Sequence, residues 1–333
     1  YKRQVTVVSA IVDNPTGYGR IMKENDTFKA IVEQKDCDSE QAKVREINSG
    51  IYWFKAEKLS GLLDKLGNNN AAGEYYLTDT VAVAEKKGVY TADSTDVVLG
   101  ANSRSQLAAL NEVARKRKLA ELMDEGVDIP LSDGIIIGKD VKIGHDTVIL
   151  PNTIIRGKTV IGNGCEIGPN SYIADCVIED NVILNNVQAH ESKVDSKAKA
   201  GPFVHLRPNT HLHSGVKIGD FVEVKNSEIG INTCIAHLTY IGDSDVGKGV
   251  NFGCGCVTAN YDGIKKYRTT IGDNAFIGCN TNMIAPVTIG DNATTAAGST
   301  ITKNVPADSL AVERGQTRII EHWEKNSKRI KKA

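Results

Sequence analysis

Seven isoleucines, Ile137, Ile143, Ile149, Ile155, Ile161, Ile167 and Ile173, stand six residues apart. Glycine follows at 138, 144, 162 and 168, and the rhythm returns at Ile229, Ile235 and Ile241 and at Ile271, Ile277, Met283 and Ile289. Neither the helical period nor strand alternation produces a six-residue repeat. A parallel β-helix does: each short strand turns one aliphatic side chain inward, where it stacks on its copy in the next coil. Gly, Asn and Asp at the corners supply the unusual backbone angles. One coil buries little alone, so stability comes from stacked neighbours.

Upstream of the repeat the pattern is different. "FKAIVEQK" (Phe28–Lys35) and "NSGIYWF" (Asn48–Phe54) read as strands, while "AEKLSGLLDKLG" and "TDTVAVAEKKG" read as helices ending at Gly67 and Gly88. That mixture predicts an α/β layer over residues 1–102, with too little chain for a complete large sheet. The segment 103–126 predicts a connecting helix: Leu107, Leu110, Val113, Leu119, Leu122 and Met123 recur near helical spacing. Asn102 or Ser103 can cap its start and Gly126 its end. The β-helix is expected over 127–305 and a C-terminal arm over 306–333. A chain that opens on Tyr1, just ahead of the strand-forming run Val5–Val12, is expected to be a piece whose natural start lies further upstream.

Composition narrows the function classes. Forty Lys and Arg against 41 Asp and Glu leave a net charge of -1 over 333 residues, which argues against nucleic-acid and anionic-membrane partners. The basic run Lys325–Ala333 reads as a solvated tail. Seven cysteines show no framework spacing, so reduced thiols in the cytosol are expected. Cys254-x-Cys256 lacks the second pair that a zinc site needs. No apolar run is long enough to span a bilayer.

The repeat breaks twice, each time adding polar groups. "GCGCVTANYDGIKKYRTT" (Gly253–Thr270) is too long and polar for one more coil and is expected to loop out, with Asn260–Gly263 as a tight turn. "GPFVHLRPNTHLHSG" (Gly201–Gly215) places Arg207 and a proline beside a coil. Arg207, Lys225, His237, Tyr240, Asn251, Asn260 and Tyr261 all fall within these few coils. A base, two cations and a phenol on adjacent coils suit a phosphorylated substrate with a proton to remove.

These segments carry a resemblance. "GPFVHLRP", "GDFVEVKNSEIG", "AHLTYIGD", "NFGCG", "TANYDG", "APVTIGD" and "AAGSTIT" resemble the bacterial bifunctional N-acetylglucosamine-1-phosphate uridylyltransferase/glucosamine-1-phosphate acetyltransferase family. "PTGYGR", "IVEQKDC", "EINSGIY", "NNNAAGEYYLTD" and "LGANSR" resemble its uridylyltransferase half, in order along the chain. The resemblance implies a partial Rossmann-like nucleotidyltransferase domain, a linker helix and a left-handed β-helix of hexapeptide repeats. It implies cytoplasmic synthesis of a cell-wall and lipopolysaccharide precursor by a homotrimer.

It also implies residue roles. His237 matches the general base that frees the amine of glucosamine 1-phosphate to attack the thioester of acetyl-CoA, and imidazole titrates in the right range. Arg207, Lys225, Tyr240 and Asn251 match the sugar-phosphate contacts. Cys254, Asn260, Tyr261, Cys279, Ala297 and Arg314 match acetyl-CoA contacts, with Val312–Asn326 able to cross to a neighbouring subunit. Gly19, Glu33, Asn48 and Asn102 match contacts to UDP-N-acetylglucosamine, which the complete protein forms from UTP, and Asn102 also matches a Mg²⁺ ligand. The family's Gly-rich phosphate loop and the aspartate that shares the Mg²⁺ have no counterpart in this sequence. A nucleotidyl transfer needs both, so the chain as given is expected not to uridylylate.

Two other readings compete. A metal-dependent hydratase on the same scaffold would use His205, His211, His213 and His237 as zinc ligands. It needs ligands on facing coils, yet one full coil of three hexads before His237 stands Gly219. A non-enzymatic β-helix, joined to a degenerate nucleotidyltransferase domain as a scaffold or regulatory subunit, would have no need of Arg207, Lys225 and His237 together.

Overall fold

The computed structural model describes residues 3–97, 100–101 and 103–321. Its contacts divide the chain into two units, Tyr1–Ala114 and Arg115–Ala333.

In the first unit, β1 (Val5–Ile11), β2 (Arg20–Glu24), β3 (Thr27–Val32), β4 (Glu46–Phe54) and β5 (Lys87–Thr91) form one sheet in the order β3-β2-β4-β1-β5. β5 lies parallel to β1 and the remaining pairs are antiparallel. Val5, Val7, Ile21, Phe28 and Ile31 from one side of this sheet pack with Leu62 of α1 (Ala56–Leu63) and Val81 of α2 (Asp79–Val83). The sequence pattern carries the second helix through to Gly88. Instead it stops at Val83, because Lys87–Thr91 is taken up as the parallel partner of β1.

α3 (Arg104–Asp124) begins where the Ser103 hydroxyl accepts a hydrogen bond from the Gln106 amide at 3.2 Å. It ends at Gly126, whose φ of 92° only glycine adopts freely. Leu119 and Leu122 close the base of the second unit's core against Val127, Ile129 and Ile135.

That core is a left-handed parallel β-helix. Its first face runs from Ile136–Ile137 to Thr300–Ile301, its second from Lys142–Ile143 to Val287–Ile289 and its third from Val148–Ile149 to Leu310–Ala311. All fourteen residues of the six-residue repeat named above are buried. Register is rigid: Ile137 stacks on Ile155, Ile155 on Ile173, and Ile235 on Phe252 and then Ile277. Asn152, Asn170, Asn181, Asn232, Asn274 and Asn292 hold corners with φ between 54° and 59°, the left-handed region that Asn enters at lower cost than most residues. Buried threonines tie coil to coil, Thr147 donating to Gly162 O and Thr233 to Gly247 O, each at 2.8 Å.

The expected loop-out is shorter than its sequence signal. Gly253–Ala259 remains in the solenoid, and only 260–267 leaves it, as a hairpin closed by Tyr267 N–H donating to Asn260 O at 2.8 Å. Stacked partners advance 25 residues across this coil (Ser244 to Thr269) where the preceding coil advances 17 (Glu228 to Asp245). Val312–Glu321 leaves the last coil without regular structure, and 322–333, including the basic tail, lies outside the described residues. Among the described residues no helix is long and apolar enough to cross a membrane.

Truncating one inward rung tests the stacking. Ile173→Ala, far along the chain from the polar coils, is expected to cost about 2–5 kcal/mol, read as a lowered denaturation midpoint in urea. A cost near zero would mean that the inward column does not hold the coils together.

Candidate functional site

The second unit gathers its polar residues at the two ends of its first face. At the face's exit, Arg207 and Lys225 stack in successive coils, following the register of Leu206 on Val224. Arg207 Nη1 donates to Glu223 Oε1 at 2.8 Å. The hairpin brings a third cation, Lys266, beside Lys225. That neighbouring ammonium, followed by partial burial, holds Lys225 below its ordinary range. Lys266 escaped the sequence reading, because only the fold of the hairpin returns it to the coil.

Asp243 is the counterweight. It is 5% exposed and accepts from Asn226 Nδ2 at 2.5 Å and from Asn260 Nδ2. Burial pushes its carboxyl up, but these amides and the Lys225 and Lys266 ammoniums together hold it below the usual carboxylate range. Asn260 is therefore a buried brace at the hairpin's neck, and its amide also reaches Tyr240 Oη at 3.4 Å. Tyr240 stands on Glu223 in the next coil. Its phenol folds across Gly242, where any Cβ would sit 2.3 Å from the hydroxyl oxygen. Glycine at 242 is thus what lets the phenol lie over the face. Arg268, bidentate to Asp245 and reaching Asn226 O at 3.2 Å, pins the hairpin's return.

His237 lies at the other end, where the third face turns into the first. It ends the strand Cys234–His237, and Leu238 turns the corner at a φ of 48° before Tyr240. The coil before it presents Asp220, not the expected Gly219, because this coil holds 17 residues: Asp220 pairs with His237 in register. Asp220 Oδ2 lies 3.9 Å from His237 Nδ1, and the imidazole is 59% exposed. Across the first face, three residues or ~10 Å wide at ~3.3 Å per residue, lie Lys225 and Arg207.

The column above His237 is made of small residues. Register from Ile235 through Phe252, Ile277 and Thr295 sets Cys254, Cys279 and Ala297 on successive coils directly over it. In the last coil the register puts Glu313 over Ala297 and Arg314 one residue further, its Cδ 3.9 Å from where a Cβ on Gly298 would stand. At ~4.8 Å per coil the four coil steps from His237 to Arg314 span ~19 Å along this edge. Asn251 is exposed on the third face, in the coil above Cys234, and Tyr261 is exposed on the hairpin with its hydroxyl donating to Gly263 O at 2.6 Å. All seven cysteines are free. Cys256 points inward while Cys254 faces the edge, so the pair does not chelate.

In the first unit, Gly19, Glu33 and Asn48 come together. Asn48 N–H donates to Gly19 O at 2.8 Å, and a Cβ at 19 would lie 3.3 Å from the Glu33 carboxylate. The unexpected neighbour is Tyr52, which accepts from Asn48 Nδ2 at 2.7 Å and whose phenol burial pushes up to about 12. Asn102 lies outside the described residues. Among the described residues this unit assembles no three-donor metal set, so these side chains do not by themselves frame a Mg²⁺ site.

Comparison with known proteins bears on both units. Residues 268–303 match the family model "Bacterial transferase hexapeptide (six repeats)". Over 324 residues the chain is 48% identical to the bifunctional protein GlmU of Clostridium acetobutylicum, covering 96% of this chain and 71% of that protein. It is 49% identical over 323 residues to GlmU of Acetivibrio thermocellus (96% and 70%) and 48% over 327 residues to GlmU of Fervidobacterium nodosum (98% and 72%).

Three cations against the braced Asp243 and Glu223 leave this corner with a surplus of positive charge, chemically suited to a phosphate dianion. Lys266→Ala is expected to weaken hexose 1-phosphate binding by about 1.5–3 kcal/mol, roughly ten- to hundredfold, in calorimetry. Wild-type affinity should fall below about pH 6 as the phosphate takes up its second proton. It should fall again at alkaline pH, sooner than an ordinary lysine would allow, as Lys225 loses its charge. Affinity indifferent to Lys266 would remove the hairpin from the site.

Proposed function

The chain belongs to the family of bifunctional GlmU proteins, and from that membership and its corner geometry we propose how its β-helix moves the acetyl group of acetyl-CoA to the amine of glucosamine 1-phosphate. The observation that carries the reading is the two-ended first face: a carboxylate-backed imidazole at one edge and a three-cation phosphate receptor at the other. A hexose 1-phosphate laid across the face has its phosphate on Arg207, Lys225 and Lys266, its ring against Tyr240, and its amine toward His237. Asn251 takes a sugar contact from the third face.

The amine is protonated near neutral pH and cannot attack until a proton leaves it. His237 accepts that proton, and Asp220 behind Nδ1 orients the ring and offsets the imidazolium charge that forms. The freed nitrogen attacks the thioester carbonyl carbon, a C–N bond forms and the C–S bond breaks; the surplus proton of the new amide nitrogen goes to the departing thiolate, which leaves as coenzyme A thiol, and His237 releases the first proton to solvent. The cosubstrate lies along the small-residue column, its pantetheine arm passing Cys254, Cys279 and Ala297, its phosphates near Arg314. Asn260 and Tyr261 bring the hairpin to this junction.

A trimer fits one further feature. Phe203, Phe221 and Leu238 occupy left-handed corners at φ of 58°, 57° and 48°, more than half exposed, the two phenyl rings parallel at 5.1 Å. Bulky apolar residues at strained, exposed corners are costly unless a second copy covers them. Such packing also completes each site at the edge beside His237. In the first unit, the cluster of Gly19, Glu33 and Asn48 serves the UDP-sugar of the uridylyltransferase half. In the complete protein a Mg²⁺ ion would supply charge neutralisation of the triphosphate, with ligands that the described residues of this unit do not assemble.

His237→Ala is expected to lower kcat for thiol release from acetyl-CoA by about 10²–10⁴-fold while oligomeric state and phosphate binding persist. Turnover close to wild type in that variant would discard the base. Asp220→Asn should lower kcat without raising KM, as a positioning role requires.

A further inference from the structure

On the second face, away from the acetyl-transfer edge, the strands Lys193–Val194, His211–Leu212 and Glu228–Ile229 stack in consecutive coils. The imidazoles of His211 and His213 lie over one another with ring centroids 3.9 Å apart. Each bridges the same two carboxylates. His211 Nε2 is 2.9 Å from Asp195 Oδ1 and its Nδ1 2.9 Å from Glu228 Oε2. His213 Nδ1 is 3.2 Å from Asp195 Oδ2 and its Nε2 3.0 Å from Glu228 Oε2.

All four ring nitrogens thus face carboxylate oxygens. A neutral imidazole carries one N–H, so hydrogen bonding alone cannot satisfy both nitrogens of either ring. A neutral ring turns one lone pair toward an anion instead. A metal ion removes the conflict. Donor atoms of Asp195, His211 and His213 all lie within 4.8 Å of one another, and the two Asp195–histidine contacts, at 2.9 and 3.2 Å, are near the ~3.4 Å that bonds of ~2.0–2.1 Å set between donors around one tetrahedral ion. His211 Nε2, His213 Nδ1 and an Asp195 oxygen then share the ion, and Glu228 accepts the remaining N–H of both rings, fixing both tautomers.

We propose that Asp195, His211 and His213, supported by Glu228, bind one divalent transition-metal ion of the zinc class. Two imidazoles and one carboxylate select such an ion over Mg²⁺ or Ca²⁺. Lys193 Nζ contacts Asp195 Oδ1 at 2.9 Å, but it is half-exposed and also 3.7 Å from Glu179, so it can turn to that partner when the ion enters. Asp195 is only 13% exposed in its side chain. The ion joins two consecutive coils, and Glu228 ties in the third through the rings it accepts from. The middle one follows directly on Thr210, whose hydroxyl donates to Arg207 O at 2.7 Å, so the clamp braces the corner that presents Arg207. Neither His205 nor His237 belongs to the set, which separates this structural clamp from a catalytic zinc centre.

The test uses the intact chain, stripped with a chelator and dialysed. Zn²⁺ titrated calorimetrically is expected to bind at one equivalent per chain and raise the thermal midpoint. Co²⁺ should give visible bands of a nitrogen–oxygen site. Binding should weaken at least tenfold in Asp195→Asn and vanish in the His211→Gln/His213→Gln double variant, with far-ultraviolet circular dichroism unchanged, while His237→Ala keeps the full equivalent. Should the double variant fail to fold, imidazole nitrogen NMR of the wild type decides, since the ion must shift the resonances of two rings. No bound equivalent, an equivalent that survives in the folded double variant, or unshifted ring resonances would overturn the site.

Discussion

Everything in the second unit depends on the stacking of inward aliphatic side chains at fixed register. A rung of Ile on Ile, repeated in three faces, leaves no freedom for a coil to slide, because a one-residue slip would turn each buried residue out to water. Outward residues inherit that rigidity. The alignment of Asp220, His237, Cys254, Cys279 and Ala297 in one column is a by-product of core packing, to which the Asp220–His237 contact is added. Hydrophobic burial sets the geometry, and polar side chains are then placed on it as on a lattice.

The same lattice explains how much could be read from the sequence. Ile137 to Ile173 announce the solenoid, because each must point inward and nothing else generates that spacing. The polar corner was legible as a departure from monotony, with Arg207, Lys225, His237 and Tyr240 all standing where the rhythm falters. The neighbours of these residues were harder to see. Counting three hexads back from His237 gives Gly219, whereas the coil drops one residue at a corner and delivers Asp220. Lys266 lies 41 positions after Lys225 and reaches it only through the hairpin's closure. Gly242 looks like any repeat glycine until the Tyr240 phenol is found lying over it.

In the first unit the error ran the other way. Thr78–Gly88 has a helical look by local propensity, but Lys87–Thr91 gains a full parallel partner in β1, and long-range pairing overrides the local preference. Gly19, Glu33 and Asn48 carry no periodic signal, and resemblance alone singled them out. The sheet supplies the physical reason for their company, since Asn48 on β4 bonds back to the chain just ahead of β2.

The Asn260–Tyr267 hairpin has a consequence for how such enzymes diversify. Its neck is sealed by a main-chain bond and its roots are stapled by Arg268, while the coils before and after it continue in step. An excursion of this kind behaves as an interchangeable cassette: lengthening or recoding it leaves the prism undisturbed yet alters which charge arrives over the phosphate end. Ligand choice on such a scaffold can therefore drift by editing one short insert, with the column over His237 left as it stands.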